Sequence, residues 1–375
     1  MNILIFNWQD LSHPLAGGAE VHLHETYERI AAMGHRVTLF CSTYEGAKER
    51  EEKNGITIIR EGGRHLFNFV AMRKYFSTFR HAKFDLIVDD VNKIPFYSPA
   101  FAKEPVLGEL HHLLGTSVFQ ETIFPLASYV YLAERCSLPV YRRIHFMIHS
   151  PSTQKEVSAK GFLPEKVHYV PYGMNHALFR RTGIPKSPVP LVGALGRLKK
   201  YKSFDHLIEA FPLVRKEVPD ARLVIVGDGD DRPRLQRITA ELGLQDAVTF
   251  TGFVSEEEKV RWLNEMQVAV NTSAKEGWGL TAIEANACGT TTVSSNVQGL
   301  RDAVVDGTTG LLYEYGNRTQ LAERIVRVLK DNALRERLTA AALARSQEFD
   351  WQTGAERTMD VIDRVVAEHR LTARR

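Results

Sequence analysis

The sequence has few cysteines. Three occur in 375 residues, at positions 41, 136 and 288. Three widely separated cysteines provide neither the even set of a disulfide framework nor the close spacing of a zinc site. We therefore expect a protein of the reducing cytoplasm, without a disulfide scaffold or a cysteine-bound metal.

Long apolar runs and a strong net charge are also missing. No segment of the sequence reaches the ~20 apolar residues that a membrane-spanning helix needs. Residues 1–7 are apolar, but no basic region precedes them and Trp8-Gln9-Asp10 ends the run, which indicates a first strand rather than a signal peptide. The net charge of +3 is too small to indicate a nucleic-acid partner.

The chain does have the pattern of an α/β protein. Hydrophobic residues make up 44% and charged residues 25%, an ordinary globular composition, and the length favours two domains. Short apolar runs alternate with helical patterns in both halves, which predicts doubly wound parallel sheets. Residues 181–190 are rich in proline and glycine, as in a linker. We predict domains at 1–182 and 183–351, with a final helix at 352–375 that packs back on the first domain.

One stretch of the second half has the composition of a ligand loop. Residues 276–289 follow an apolar run at 268–271. Gly277 and Gly279 allow the backbone to approach a ligand closely, and the helix predicted to begin at Leu280 offers free N–H groups to an anion. Glu276 and Glu284 bracket the loop, and carboxylates accept hydrogen bonds from hydroxyl groups such as those of a sugar and a ribose.

A second loop follows the apolar run at 191–195 and contains two cations. Arg197 and Lys202 flank a predicted helix start, where positive charge and free N–H groups together suit a diphosphate. A surface charge cluster is the alternative, since the chain has 48 lysines and arginines. In the first half, Gly17-Gly18 follows the first strand, where an ordinary turn competes with a ligand loop.

Histidines and aspartates also stand at predicted strand ends. His111 and His112 follow the run at 105–110. A histidine in this position can hydrogen-bond a substrate or move a proton, and the doublet leaves open which of the two does so. Asp89-Asp90 and the aspartates within 228–231 suggest a metal, but acidic turn residues explain them without one, and we expect none.

Several of these motifs together resemble the retaining glycosyltransferases of family 4. Glu276 and Glu284 stand eight positions apart within Glu-Gly-aromatic-Gly-Leu, as in that family's signature. Gly196-Arg197-Leu198 with Lys202 is similar to its phosphate-binding arginine and lysine. Gly17-Gly18 resembles its glycine loop, and the segment that ends at His111 resembles one ending in a histidine that contacts the sugar.

The resemblance implies the GT-B architecture, in which two Rossmann-like, doubly wound parallel-sheet domains face a central cleft. It implies that the diphosphate is held by Arg197, Lys202 and the helix start, the ribose by Glu284, and the sugar by Glu276 and His111. The implied catalytic set is His111, Arg197, Lys202 and Glu276, and the implied donor-binding set is Gly17, Gly18, Val254, Gly277, Trp278, Gly279, Leu280, Thr281 and Glu284. Tyr172 and Ser203 depart from the family pattern, which usually has asparagine and glycine there.

The implied reaction moves a sugar from a nucleoside-diphosphate sugar, UDP- or GDP-linked, to a saccharide or lipid-linked acceptor with retention. No protein nucleophile, metal or cofactor other than the nucleotide-sugar co-substrate is expected. A nucleotide-sugar epimerase would share the fold but needs an acid–base pair that the sequence does not reveal. A dehydrogenase would need Gly-x-Gly-x-x-Gly after the first strand, a spacing that Gly17-Gly18 lacks. A non-catalytic sugar-binding module would leave Arg197 and Lys202 without a role.

Residues 67–83 mix aromatic and basic side chains. Such a helix suits contact with the anionic inner surface of a membrane or with a lipid-linked acceptor. It equally suits a helix packed on the core with a solvated basic face. The sequence leaves both interpretations open for a protein that we expect in the cytoplasm.

Overall fold

The chain folds as two α/β units, which the computed structural model describes over residues 1–63, 65–91, 94–120 and 124–372. The first unit comprises Met1–Gly173 and Trp351–Arg375, and the second Met174–Asp350. The boundary lies earlier than the expected position after residue 182, because the intervening segment is bonded within the second unit. The amide of Met174 donates to the Phe349 carbonyl at 3.1 Å, and that of Thr182 donates to Asn264 Oδ1 at 3.0 Å.

The first unit contains an eight-stranded sheet in the order β3-β4-β2-β1-β5-β6-β7-β8. Its strands are β1 Asn2–Phe6, β2 Arg36–Cys41, β3 Arg50–Lys53, β4 Ile56–Arg60, β5 Leu86–Val91, β6 Val106–Leu110, β7 His145–Ile148 and β8 Val167–Tyr169. All pair in parallel except β3, which is antiparallel to β4. Strand β3 was not predicted from the sequence, since Arg-Glu-Glu-Lys is a polar edge strand without an apolar run.

Among the described residues of the first unit, four α-helices connect these strands. They are α1 Gly18–Ala32, α2 Phe67–Ser77, α3 Phe124–Tyr141 and α4 Pro151–Ala159. Strands β1, β2, β5 and β6 bury almost every side chain, as expected for parallel strands that are covered on both faces.

The second unit contains a six-stranded parallel sheet in the order β11-β10-β9-β12-β13-β14. Its strands are β9 Leu191–Leu195, β10 Arg222–Val226, β11 Val248–Gly252, β12 Val268–Asn271, β13 Thr291–Ser295 and β14 Gly310–Tyr313. Its helices are α5 Phe204–Glu217, α6 Arg232–Glu241, α7 Glu256–Glu265, α8 Leu280–Ala287, α9 Leu300–Ala303, α10 Arg318–Lys330 and α11 Asn332–Ser346. These alternating strands and helices confirm the predicted doubly wound parallel sheets.

The last helix, α12 Trp351–Thr372, belongs to the first unit. Its buried side chains, including Ile362 and Val365, join a hydrophobic cluster with Leu23 and Tyr27 of α1. This packing follows from an apolar stripe at helical spacing on a long helix. Across the described residues, no helix combines the length and the apolar character needed to cross a membrane.

Gly227 fixes the approach of two loops in the second unit. It follows β10 with a φ of +131°, and a Cβ at this position would lie 2.1 Å from the carbonyl oxygen of Gly196, which follows β9. A side chain here therefore meets both a disfavoured backbone conformation and a backbone atom that cannot move independently. By contrast, Gly243 has a φ of +65°, but no atom lies within 4 Å of the place that a Cβ would occupy there.

We expect Gly227→Ala to lower the free energy of unfolding by more than about 2 kcal/mol, because strain and a backbone clash add together. The matched control Gly243→Ala should cost only about 1 kcal/mol, since it introduces conformational strain alone. Urea unfolding with comparison of midpoints at unchanged slope would measure both effects. Equal losses in the two variants would contradict the close approach of the loops.

Candidate functional site

The strand order of the second unit reverses between β9 and β12, which pair with each other. In open α/β sheets, ligands bind at the carboxyl ends of the strands at such a point. The loops that leave these two strands are joined there. The amide of Ala274 donates to the carbonyl of Tyr201 at 2.8 Å, and the Thr272 hydroxyl donates to the carbonyl of Lys202 at 2.8 Å. A recess opens at this edge, lined by Leu195, Lys202, Phe204, Val270, Asn271, Thr272 and Ser273.

Lys202 and Glu276 meet at this recess. Lys202 Nζ lies 2.5 Å from Glu276 Oε1, and the Ser273 hydroxyl donates to the same oxygen at 2.5 Å. The two side chains are 17% and 16% exposed. Burial alone would lower the pKa of Lys202, but the charge of Glu276 raises it above its ordinary value. Lys202 is therefore a fixed cation at neutral pH.

Arg197 lies on the same loop as Lys202. It is exposed, and its positive charge acts to lower the pKa of Lys202, although less strongly than Glu276 raises it. The loop is held by a hydrogen bond from the amide of Leu198 to the carbonyl of Asp228 at 2.9 Å. The structure thus places both predicted cations on the loop that follows β9.

The predicted glycine loop leads directly into α8. Gly279 precedes the helix with a φ of +81°, and a Cβ there would approach Leu300 Cδ2 to 2.9 Å. Gly277 and Leu280 are half-buried. The Thr281 hydroxyl donates to Asn271 Oδ1 at 2.9 Å and so ties the first turn of α8 to the end of β12.

Trp278 differs from its neighbours in this loop. Its side chain is 2% exposed and packs edge-on against Phe349, with 5.3 Å between ring centroids. The indole is therefore part of the hydrophobic core of the second unit. Contact with a ligand from this position would come from the backbone.

Glu284 lies one turn into α8. Its Oε1 atom accepts a hydrogen bond from Lys259 Nζ of α7 at 3.1 Å. Its Oε2 atom is buried and has no hydrogen-bond partner within the described part of the chain. Lys259 also lies over the ring of Phe179, 4.7 Å from its centroid. Lys259 was not predicted as a site residue, because nothing in the local pattern of α7 reveals a contact with a residue of α8.

Val254 is half-buried in the turn between β11 and α7, next to the exposed Phe253. A capping box begins α7, since the Ser255 hydroxyl accepts from the Glu258 amide at 3.2 Å. Val254 is thus placed at the amino end of the helix that carries Lys259.

The aspartates after β10 are engaged with cations. Asp228 pairs with Arg232 at 2.9 Å, Asp230 with Lys199 at 2.8 Å and Asp231 with Arg234 at 2.7 Å. These ion pairs account for the acidic residues of 228–231.

In the first unit, Gly17 and Gly18 stand at the start of α1, beyond the carboxyl end of β1. The Gly17 amide donates to Glu20 Oε2 at 2.7 Å, within a capping arrangement. The pair thus lies at a helix start, where free N–H groups can contact an anion. This is the segment that resembles the glycine loop of the family.

His111 is 3% exposed, immediately beyond β6. Its Nε2 atom lies 3.1 Å from Asp90 Oδ1, and its Nδ1 atom makes a short hydrogen bond with the Tyr172 hydroxyl. Burial, reinforced by the nearby His149, lowers the pKa of His111 to about 4, so the ring is neutral at pH 7. A sugar contact from His111 would have to replace one of these two partners. His112 is half-buried.

Asp89 and Asp90 are not the turn residues that the sequence suggested. Both lie within β5 and are fully buried. Asp89 Oδ2 accepts hydrogen bonds from the Ser98 hydroxyl at 2.5 Å and the Tyr141 hydroxyl at 2.6 Å. Burial raises the pKa of Asp90 well above its ordinary range. The strand that begins with apolar residues continues through both aspartates, although their acidic side chains suggested that it ended there.

A polar cluster around Glu109 was not predicted from the sequence. The Glu109 side chain contacts His22 of α1, Tyr27 of α1 and His149, which follows β7. All four residues are at most 1% exposed. The glutamate falls within an apolar strand pattern and its partners are distant in sequence, so no local signal identified them.

Two family models match the chain in succession. The model described as "Glycosyltransferase Family 4" matches residues 16–178, and that described as "Glycosyl transferases group 1" matches residues 177–345. Together they span most of both units.

Among curated proteins, a D-inositol 3-phosphate glycosyltransferase of Nocardioides sp. is 33% identical over 231 residues, which are 55% of this chain and 50% of the relative. One from Streptomyces griseus subsp. griseus is 36% identical over 204 residues, covering 52% of this chain and 43% of the relative. The chain thus spans about half the length of the curated relatives it matches.

Among solved structures, sucrose-phosphate synthase from Thermosynechococcus elongatus has a TM-score of 0.82 at 24% identity and covers 98% of this chain and 99% of its own. HepE of Anabaena, in complex with UDP-glucose, has a TM-score of 0.76 at 20% identity, with coverage of 97% and 99%. At these identities the likeness concerns the fold. With the family models, it leads to one conclusion: the chain belongs to glycosyltransferase family 4 and has the GT-B fold.

Proposed function

We propose that this protein transfers a sugar from a nucleoside-diphosphate sugar to a hydroxyl group of an acceptor, with retention at the anomeric carbon and without a metal in the transfer step. The observation that carries the proposal is the ion pair of Lys202 with Glu276 of the loop that leads into α8, at the carboxyl ends of β9 and β12, with Arg197 on the same loop as Lys202. These groups concentrate positive potential where a leaving diphosphate can bind.

In this reaction the main contribution of the protein is to stabilise charge on the leaving group. A nucleoside diphosphate gains negative charge as the glycosidic bond breaks, and preorganised cations and N–H groups lower the energy of that transition state. Lys202 is held in place by Glu276 at 2.5 Å, so little reorganisation is needed when the charge develops. Arg197, which is exposed at the end of the same loop, would supply the second cation.

We assign the ribose and the transferred sugar of the donor to two different glutamates. Glu284 has a buried oxygen without a partner among the described residues, and we assign it to the ribose hydroxyls. Its other oxygen is held by Lys259 at 3.1 Å, which fixes the orientation of the carboxylate. Glu276, beside Lys202, is assigned to a hydroxyl of the transferred sugar.

Retention follows from a substitution in which the acceptor enters on the face that the leaving group vacates. The C–O bond to the diphosphate breaks, the acceptor oxygen forms the new C–O bond, and a phosphate oxygen of the leaving group takes the acceptor proton. We assign no protein nucleophile to this step. Among nucleotides, UDP is the first to test, because the related fold of HepE is described in complex with UDP-glucose.

The acceptor is assigned to the first unit, as a saccharide or a lipid-linked molecule. Helices α2 and α3 of this unit leave several large apolar side chains exposed, and both pack on the segment around Tyr97 and Phe101. The most exposed apolar side chain of each helix is Phe69 at 52% on α2 and Phe124 at 74% on α3. Exposed Arg80 and Lys83 follow α2. Apolar side chains beside cations suit an anionic membrane surface that would present a lipid-linked acceptor.

An assay with UDP-, GDP- and ADP-sugars, with and without acceptors, tests the proposal as a whole. Transfer to an acceptor with retained anomeric configuration is the expected result. Formation of a new nucleotide sugar in the absence of acceptor would instead indicate a nucleotide-sugar epimerase. Inversion, or dependence of the transfer step itself on a divalent metal, would overturn the mechanism.

We expect Lys202→Ala and Arg197→Ala each to lower kcat by roughly 10²–10³, since each removes a charge that stabilises the leaving diphosphate. Lys199→Ala is the matched control, because Lys199 lies on the same loop but pairs with Asp230 at the surface. Steady-state kinetics with the preferred donor would measure all three. Near-normal turnover in both Lys202→Ala and Arg197→Ala would rule out the assigned roles.

The two glutamates should separate binding from transfer. Glu284→Gln should weaken binding of the nucleoside diphosphate by about tenfold or more, because a hydrogen bond to a charged acceptor contributes about 1.5–3 kcal/mol. Glu276→Gln should leave that affinity within a few-fold while lowering transfer of the sugar. Calorimetry with the nucleoside diphosphate and kinetics with the whole donor distinguish the two, and the reverse pattern would exchange their assignments.

Sedimentation with phosphatidylglycerol vesicles tests the membrane contact. The unchanged protein should sediment with these vesicles, and Phe69→Ser combined with Phe124→Ser should reduce the bound fraction about tenfold, as two exposed aromatic anchors are lost. Phe253→Ser is the control, since Phe253 is 91% exposed but lies in the second unit. Absence of binding by the unchanged protein, or an equal loss of binding in Phe253→Ser, would contradict the proposed membrane contact.

A further inference from the structure

The buried cluster around Glu109 has an arrangement of donors that the transfer reaction does not use. Glu109 lies on β6, His22 on α1 and His149 just beyond β7, so three separate elements of the first unit bring these side chains together. The His22 Nε2, Glu109 Oε1 and His149 Nε2 atoms all lie within 4.8 Å of one another. None of the three residues is more than 1% exposed.

The hydrogen bonding of His149 fixes which ring nitrogen can act as a ligand. Its Nδ1 atom lies 2.8 Å from the carbonyl oxygen of Val170. Because a carbonyl can only accept, Nδ1 carries a proton, and Nε2 is therefore the ring atom that can offer a lone pair to a ligand on the side of Glu109. A carbonyl partner of this kind on the second nitrogen is the usual support for a histidine that binds a metal.

Two histidine nitrogens converge on one carboxylate oxygen in the core. His149 Nε2 lies 3.3 Å from Glu109 Oε1, yet it has no hydrogen-bond partner of acceptable geometry among the described residues. His22 Nε2 lies 2.8 Å from the same oxygen, the distance of a hydrogen bond when this nitrogen carries the proton. A metal ion that displaces this proton would bind all three atoms at once.

The carboxylate also needs a positive partner. In the described part of the chain, no lysine or arginine forms an ion pair with Glu109; its ion-pair contacts are with His22 and His149. Its second oxygen accepts a hydrogen bond from the Tyr27 hydroxyl at 3.1 Å. A fully buried carboxylate needs a positive charge beside it, which here can come from a protonated histidine or from a metal ion.

We propose that His22, Glu109 and His149 form a binding site for a single zinc ion inside the first unit. Two histidine nitrogens and one carboxylate oxygen are a donor set that zinc accepts, with bonds of about 2.0–2.2 Å. Ligand atoms around a tetrahedral zinc lie about 3.3 Å apart at such bond lengths, close to the observed separations of 2.8 and 3.3 Å. The ion stabilises the fold of the first unit and takes no part in sugar transfer, which the second unit's cations support.

Metal analysis of the purified full chain tests this site independently of activity. After incubation with zinc sulfate and desalting, mass spectrometry of the metal content should find about one zinc ion per chain. His22→Gln and His149→Gln should each lose most of that zinc. His145→Gln is the matched control, because His145 is also a buried histidine of the first unit, but its two ring nitrogens diverge to His168 and Glu368.

Cobalt substitution protects the test against variants that fail to fold. Co²⁺ bound to the unchanged protein by two imidazoles and a carboxylate should give visible absorption bands of low-symmetry coordination, and added zinc should abolish them. A protein that retains neither zinc nor cobalt has a proton rather than a metal in the cluster, and the proposal fails. Equal zinc content in the unchanged protein, both cluster variants and His145→Gln would place the metal elsewhere and also overturn it.

Discussion

The candidate site of the second unit depends on one topological constraint, the reversal of strand order between β9 and β12. Connections that leave neighbouring strands in opposite directions separate at their carboxyl ends and leave a gap there. Hydrogen bonds from Ala274 to Tyr201 and from Thr272 to Lys202 hold the two diverging loops in register. Without these hydrogen bonds, the two loops that carry Lys202 and Glu276 would move independently, and the distance between the two charges would not be fixed.

The ion pair of Lys202 and Glu276 has the burial that suits exchange with a ligand. A fully exposed pair contributes little, because solvent screens it and both side chains lose entropy. A fully buried pair is costly to separate, because each partner would be left as an uncompensated charge. At 17% and 16% exposure, each group keeps its orientation while an anionic or hydroxyl-bearing ligand can still replace part of the contact. Lys259 and Glu284, at 20% and 13% exposure, repeat this arrangement one helix away.

The sequence predicted those parts of the structure that local pattern determines. The parallel sheets, the capped start of α7 and the loops of the second unit all follow from short stretches whose composition specifies strand, turn or helix start. The contact of Lys259 with Glu284 joins residues 25 positions apart, and the contact of His111 with Tyr172 joins residues 61 positions apart. Such pairs depend on how helices and strands pack, which single-sequence pattern does not contain. Asp89 and Asp90 were misplaced for a related reason, since acidic residues are rare in buried strands and the pattern favoured a turn.

The ionisable clusters around Lys202 and around Glu109 differ in their exposure to solvent, and this difference affects how readily each cluster can change its partners. In the second unit, Lys202, Glu276, Lys259 and Glu284 all retain some exposure, so their partners can change when a ligand arrives. In the first unit, His22, Glu109 and His149 are sealed from solvent, and any change of partner there would strand a charge in the core. This partial exposure agrees with the proposed binding of the donor at these groups of the second unit. The sealed groups suit a permanent role in holding α1, β6 and β7 together.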